Sequence, residues 1–203
     1  MTGASFITGI VLAAGKGSRM GRTKQLLPFR GQTILECVID NALISRLQRV
    51  IVVLGFQAEA LKPLLKGRVV TVVVNPLYES GQSSSLKAGL QAVTEETDAV
   101  LFLLGDQPLV SAETINQILS AYETSPGTPV VLPTFEGKRG NPVLFSRATF
   151  SRIESIGGDC GARSLFAEYA GQILEVTITD PAIRMDIDTE EDFHTLLKHD
   201  VFP

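Results

Sequence analysis

The chain is short of the side chains on which much hydrolytic and redox chemistry runs. It has two histidines, His194 and His199, and two cysteines, Cys37 and Cys160. Both histidines fall in a C-terminal stretch of helical pattern and read as surface residues, so no Ser–His–Asp arrangement can be assembled. The cysteines have no CxxC spacing, which fits a reduced chain better than a disulfide framework. Cys37 falls on a helical pattern and reads as packing, and Cys160 as a small tolerated side chain. No apolar run approaches the length of a bilayer span, and the start MTGASF lacks the basic residues of a signal peptide. The expected location is the cytoplasm, with no membrane partner. Low-complexity tracts, repeats and linkers are also missing, so 203 residues are expected to form one domain, 1–203. A net charge of −4 argues against nucleic acid as the main partner. It leaves nucleotides open, since these need only a local basic pocket.

One further absence points to what is there. No acidic residue precedes Glu36, whereas Lys16, Arg19, Arg22, Lys24 and Arg30 all come before it. The apolar run Ile7–Ala14 turns abruptly at Gly15, and Gly15, Gly17 and Gly21 then alternate with those cations. A buried strand opening into a glycine-rich basic loop can hold phosphates: glycine lets backbone N–H groups approach an anion and the cations neutralise it. The spacing matches neither GxxxxGK[ST] nor GxGxxG, since the glycines read GxGxxxG. The plain alternative is a strand-to-helix turn with a solvated basic face.

Along the rest of the chain, apolar β-rich runs alternate with helical patterns. Expected strands are Ile7–Leu12, Arg49–Leu54, Val69–Val74, Val100–Leu104, Val130–Leu132, Val143–Phe145 and Ile173–Ile178. Expected helices start at Thr33, with Glu36 completing a capping box, after Gly55, near Ser83, at Ser111, at Arg147, after Asp159 and at Thr189. The runs VIVV, VVTVVV and AVLFLL are apolar on successive residues, the pattern of strands covered on both faces. The fold class is therefore α/β: a three-layer α/β/α sandwich, Rossmann-like, with a mostly parallel sheet. Ligands in such folds bind beyond the carboxyl ends of the strands, so the loops after the first, third and fourth strands should meet on one edge.

Two acidic pieces suit that edge. In Leu104-Gly105-Asp106-Gln107-Pro108 an apolar strand delivers Asp106 to its end, opposite the glycine loop. A carboxylate so placed is a natural Mg²⁺ ligand, the alternative being a turn aspartate bonded to its own backbone. Asp186 and Asp188 sit at i and i+2, so in an extended segment both face the same way and either can join Asp106 on a metal. Glu190 and Glu191 need less explanation, lying in a first helical turn where the dipole favours negative charge.

Six blocks carry a resemblance: LAAGKGSRMGRTK (Leu12–Lys24), GQSSSL (Gly81–Leu86), LLGDQP (Leu103–Pro108), KRGNPVLF (Lys138–Phe145), GDCGAR (Gly158–Arg163) and MDIDTEEDF (Met185–Phe193). In this order they resemble the MobA-like nucleotidyltransferase family of molybdenum-cofactor enzymes, and within it the MocA-type, CTP:molybdopterin cytidylyltransferase branch. The resemblance implies the nucleotidyltransferase fold and an Mg²⁺-dependent transfer of CMP from CTP to molybdopterin, giving molybdopterin cytosine dinucleotide and pyrophosphate. Arg19, Lys24 and Asp106 then act on the triphosphate, with Asp188 as the favoured second metal ligand. Nucleotide contacts fall to Leu12, Ala13, Ala14, Gly15, Gly17, Asn75, Gly81, Ser83 and Ser84, although Ser83 could equally cap a helix. Ala13-Ala14 matches the LAAG of the cytidylyl branch. Arg139, Gly140 and Asn141, with Gly161, Ala162 and Arg163, match blocks linked to the pterin acceptor; Asn141 stands where the family pattern often has His. Their plain alternatives are a hairpin turn and a capped helix. A molybdenum hydroxylase or its chaperone is the implied transient partner. Competing expectations are GTP as donor, a sugar- or polyol-phosphate acceptor, and a non-catalytic carrier of finished cofactor.

Overall fold

Apolar runs of five or six residues bounded by turns build the centre of the molecule. The computed structural model describes residues 5–17 and 20–199. In chain order its elements are β1 (Ile7–Ala13), a small hairpin of β2 (Pro28–Phe29) and β3 (Gln32–Thr33), α1 (Ile34–Ile44), β4 (Arg49–Leu54), α2 (Ala58–Leu61), β5 (Thr71–Val74) and α3 (Gln82–Leu90). There follow β6 (Ala99–Leu104), α4 (Ala112–Thr124), β7 (Val130–Phe135), β8 (Lys138–Arg139), β9 (Val143–Ser146), α5 (Phe150–Ser155), β10 (Ile173–Thr177) and α6 (Glu190–His199). The main sheet runs β10-β7-β9-β6-β1-β4-β5, with β8 hooked onto β7. β1 pairs in parallel with both β4 and β6, and β4 with β5, whereas β9 is antiparallel to β6 and to β7.

Alternate residues of the central strands feed two separate cores. Val11, Val52 and Leu101 pack with α1, α2 and α4 on one face. Ile10, Ile51, Val53 and Phe102 pack with α3 and α5 on the other. This is the expected three-layer sandwich. Parallel β1, β4, β5 and β6 end on one edge, and their loops meet there.

Local signals set most helix starts. Thr33 and Glu36 form the expected capping box on α1, with the Thr33 N–H donating to the Glu36 carboxylate at 2.8 Å. The Ser111 hydroxyl accepts from the Thr114 N–H on α4, and Asp192 accepts from the Thr189 N–H at 2.7 Å before α6.

Three expectations are corrected. The third strand is not covered on both faces: it begins at Thr71, lies at the sheet edge, and leaves Val72 and Val74 40% and 43% exposed. The segment before it makes only one α-turn, α2, and a 3₁₀ turn at Lys62–Leu65, too little to roof it. Asp159 does not open a long helix. Only a 3₁₀ turn, Ala162–Phe166, follows, and Asp159 instead accepts from the Gln82 N–H at the start of α3. Gly81, not Ser83, is the N-cap of α3.

Candidate active site

The loop leaving β1 forms one wall of a cleft of about 490 Å³, to which Leu12, Ala14, Gly15 and Gly17 contribute. The Ala13 side chain turns into the core, 1% exposed, so only its backbone can serve a ligand. Arg19 lies outside the described residues. The basic loop is not uncompensated in three dimensions. Lys16 pairs with Glu79 at 2.5 Å, Arg22 with Glu190 at 2.7 Å, and Lys24 with Asp106 and Asp188. The neutralising acids lie far along the chain and are brought in by folding, which a local charge count does not register.

Lys24 is the centre of the site. It opens a buried 3₁₀ turn, Lys24–Leu26, and its Nζ touches Asp106 Oδ2 and donates to Asp188 Oδ1 at 2.9 Å. Its side chain is 10% exposed and that of Asp106 15%. Burial alone pulls the Lys24 ammonium down, but Asp106 and Asp188 outweigh it, and the net shift is upward. For Asp106, burial is the largest influence and pushes its carboxyl above the usual range despite the attraction of Lys24; Asp186 and Asp188 add to the rise.

Asp106 arrives where it does because β6 runs beside β1. Gly105 donates its N–H to the Leu12 carbonyl at 3.0 Å, and a Cβ there would lie 2.9 Å from that same oxygen. Only glycine permits this approach. The Asp106 carbonyl accepts from the Ile187 N–H at 3.3 Å, tying the acidic segment to the end of β6. Ile187 is buried at 2%, while Asp186 and Asp188 on either side both line the cleft, as their spacing predicts.

The far wall is α3 and the loop against it. Gly81, at φ 104°, packs so closely on the Gly158 backbone that a Cβ would fall 2.4 Å from its carbonyl oxygen. Gly81, Gln82 and Ser85 line the cleft. Ser83 and Ser84 do not. Ser83 Oγ donates to the Gly158 carbonyl at 2.7 Å, and Ser84 Oγ donates to the Gly81 carbonyl at 2.8 Å while accepting from Asn75. Asn75 is 3% exposed and spends its amide on Ser84 and Ser85. These three residues brace α3 and border a different hollow, on the β5 side. Helical phase is the missed signal: Gln82 and Ser85 are three apart and share a face.

A second hollow of about 460 Å³ adjoins the cleft and shares Leu12, Gln82, Leu104 and Asp186 with it. Five of the expected acceptor residues line it: Arg139, Asn141, Gly161, Ala162 and Arg163. Gly140 does not. It packs under Ile183, where a Cβ would meet the Ile183 carbonyl at 2.6 Å, and so holds the 181–184 turn in place. That turn delivers Arg184 to the rim, a residue sequence reasoning did not single out; Gln107 and an apolar floor of Phe102, Val143 and Phe145 were also missed. Arg139 is paired with Glu175 at 2.8 Å, whereas Arg163 and Arg184 are exposed.

Among the described residues no three acidic, histidine or cysteine side chains converge as a ready metal cage. Mg²⁺ does not require one: it takes one or two carboxylates and fills its shell with waters and phosphate oxygens. Asp106 Oδ1 is buried with no hydrogen-bond partner, so one oxygen of the best-placed carboxylate remains for such an ion. Asp188 and Asp186 line the same cleft.

Comparison with known proteins agrees with this geometry. Residues 9–173 match the model of the MobA-like NTP transferase domain. The chain is 32% identical to the molybdenum cofactor cytidylyltransferase of Escherichia coli (strain K12), over 94% of this chain and 95% of that one. It is also 32% identical to the nicotine blue oxidoreductase of Paenarthrobacter nicotinovorans, over 94% and 96%. The structure of Rv0371c from Mycobacterium tuberculosis H37Rv, solved in complex with manganese, superposes with a TM-score of 0.82 at 30% identity, over 96% of this chain and 99% of that one. A strand-borne carboxylate facing a glycine loop and a match over most of the chain lead to one assignment: the chain belongs to the MobA-like NTP transferase family and is a nucleotidyltransferase of the MobA/MocA-like type.

Proposed function

We propose that this protein transfers CMP from CTP to molybdopterin, forming molybdopterin cytosine dinucleotide and releasing pyrophosphate. The observation that carries the reading is the shared wall between the two hollows. One contains Lys24, Asp106 and the glycine loop, suited to a triphosphate. The other has an apolar floor and three guanidinium groups, suited to a planar heterocycle with a phosphate tail. Ligands in the two would meet at Leu12, Gln82 and Asp186.

In this reading a terminal phosphate oxygen of the acceptor attacks the α-phosphorus, the bond to the β-phosphate oxygen breaks, and pyrophosphate leaves. An ionised phosphate is already a nucleophile, so no general base is needed, consistent with a cleft lined by no histidine. Arg163 and Arg184 hold the acceptor phosphate, and the Gly15–Gly17 backbone orients the triphosphate. Lys24 balances charge on the triphosphate and on leaving pyrophosphate. Asp106, with Asp188 or Asp186, would hold Mg²⁺, which when bound neutralises phosphate charge. Catalysis is positioning plus preorganised electrostatics. The Ala13-Ala14 pair and the similarity to the cytidylyltransferase favour CTP over GTP. The product would pass to a molybdenum hydroxylase or its chaperone.

The test is a donor screen. The protein is incubated with Mg²⁺, molybdopterin and each nucleoside triphosphate, and pyrophosphate is measured. Release with CTP, dependent on molybdopterin, is expected. Release with GTP alone would reassign the donor. Tight cofactor binding with no release from any triphosphate would favour the carrier. The similarity to nicotine blue oxidoreductase favours a second reading, an oxidoreductase. Its signature in a parallel incubation is redox conversion of nicotine blue, followed by its absorbance with an added electron donor or acceptor, and no pyrophosphate.

A further inference from the structure

The cleft contains a second buried oxygen with nothing bonded to it. Among the described residues three buried side-chain polar atoms have no hydrogen-bond partner: Gln25 Oε1, Asp106 Oδ1 and Ser146 Oγ. Ser146 belongs to β9, inside the sheet. The other two residues line the same cleft. Gln25 is 3% exposed and follows Lys24 in the same 3₁₀ turn, and its Oε1 has no hydrogen-bond partner among the described residues. Burying a carboxamide oxygen without a donor is costly, and methionine or leucine would fill the position without that cost. A bracing role for this oxygen does not account for it, because among the described residues it bonds to nothing.

Both unsatisfied atoms are acceptors, and they belong to residues that line the same cleft as Lys24: Gln25 follows it in the chain, and the other carboxylate oxygen of Asp106 touches its ammonium. A hydrated divalent ion supplies what they lack: a positive centre for the carboxylate and polarised water protons for the amide. Mg²⁺ dehydrates reluctantly and keeps several waters, so a neutral amide is better matched to one of these than to the metal itself. We propose that Gln25 is a positioning residue of the cation site, its Oε1 accepting a hydrogen bond from a water coordinated to the ion held by Asp106. This rests on the divalent-ion part of the proposed function but not on the identity of donor or acceptor. With Gln25 in this role, the Lys24–Leu26 turn presents two functions to one cleft: Lys24 faces the carboxylates and phosphates, and Gln25 the hydration shell.

The experiment is a Mn²⁺ titration of the full chain, with and without CTP, following the electron paramagnetic resonance signal of free Mn²⁺. Wild type, Gln25→Met and Gln25→Glu are compared, and the Tm of each metal-free protein is measured. Loss of a group that orients a metal's coordination shell costs roughly 10-fold or more in affinity. Gln25→Met is therefore expected to weaken Mn²⁺ binding about tenfold, with a metal-free Tm equal to or above wild type. Gln25→Glu keeps an acceptor oxygen and is expected to bind Mn²⁺ at least as tightly as wild type. Equal Mn²⁺ affinity in wild type and Gln25→Met overturns the proposal, and a lowered metal-free Tm alongside it would assign the amide to the fold. If wild type itself binds no Mn²⁺, the metal reading of the site falls as well, which separates the two failures.

Discussion

Asp106 and Lys24 show how one buried ion pair can serve a site rather than a fold. An ion pair removed from water gains little net stability, because desolvation offsets the attraction. Keeping one here makes sense if the carboxylate is needed for a ligand. Asp106→Asn takes from the buried Lys24 ammonium one of its two carboxylates, so it should lower the Tm, and it should reduce turnover by about 10²–10³-fold, the size of a lost electrostatic contact at a reacting centre. Comparison of melting curves with kcat checks both halves. The raised proton affinity of Asp106 has a second consequence. Protons and metal compete for the same carboxylate, so Mn²⁺ affinity should fall on acidification already at pH values above the range where an ordinary aspartate titrates. For the metal-free fold the sign is opposite. The native state holds this proton more tightly than the unfolded chain, so the stability from Asp106 is present in acid and lost as pH rises through its folded value. Lys24, also shifted upward, stabilises below its ordinary range and loses that contribution only above it. At this scale the sequence showed Lys24, Asp106, Asp186 and Asp188 through their local settings. It could not show that Lys24 bonds to Asp188, because the two are 164 residues apart. Nor could it show Gln25, whose role depends on what fails to reach it.

Elements were legible wherever the signal is local. The Thr33–Glu36 box reads as a three-residue spacing and forms the expected bonds, and the helices expected to open at Ser111 and Thr189 are capped there by the Ser111 hydroxyl and by Asp192. Thr33→Ala should cost about 1 kcal/mol through loss of the α1 cap. That corresponds to a drop of roughly 2–4 °C in Tm for a chain of this size. The mutation touches no cleft residue, so KM for the triphosphate should stay at the wild-type value in the same preparation. Sequence reading failed where an element's character depends on its neighbours. β5 has the composition of a buried strand but lies at the sheet edge, and nothing in VVTVVV records that the short turns before it leave the face of Val72 and Val74 open. Ser83 and Ser84 have the chemistry of ligand-binding residues, but the helix presents them to Gly158 and Asn75.

At the scale of the whole molecule, the alternation of strand and helix already implied a sandwich with its ligands at one edge. The reversed strand β9 was not legible. Its residues are as apolar as those of a parallel strand, and direction is set by the hairpin at β8 and the crossing back to β6. That reversal brings Asn141 and Val143 beside Phe102 and so builds the second hollow next to the first. Among the described residues no helix is long and apolar enough to cross a membrane. The account depends on the two hollows being one reaction chamber, with the triphosphate and its metal between the early glycine loop and the end of β6. The most direct test is a crystal structure with Mn²⁺ and CTP, locating the metal by its anomalous signal. The account predicts the manganese peak on Asp106, with the triphosphate lying along Gly15–Gly17. A bound triphosphate whose metal peak lies away from Asp106, or a nucleotide seated outside the cleft, would contradict it.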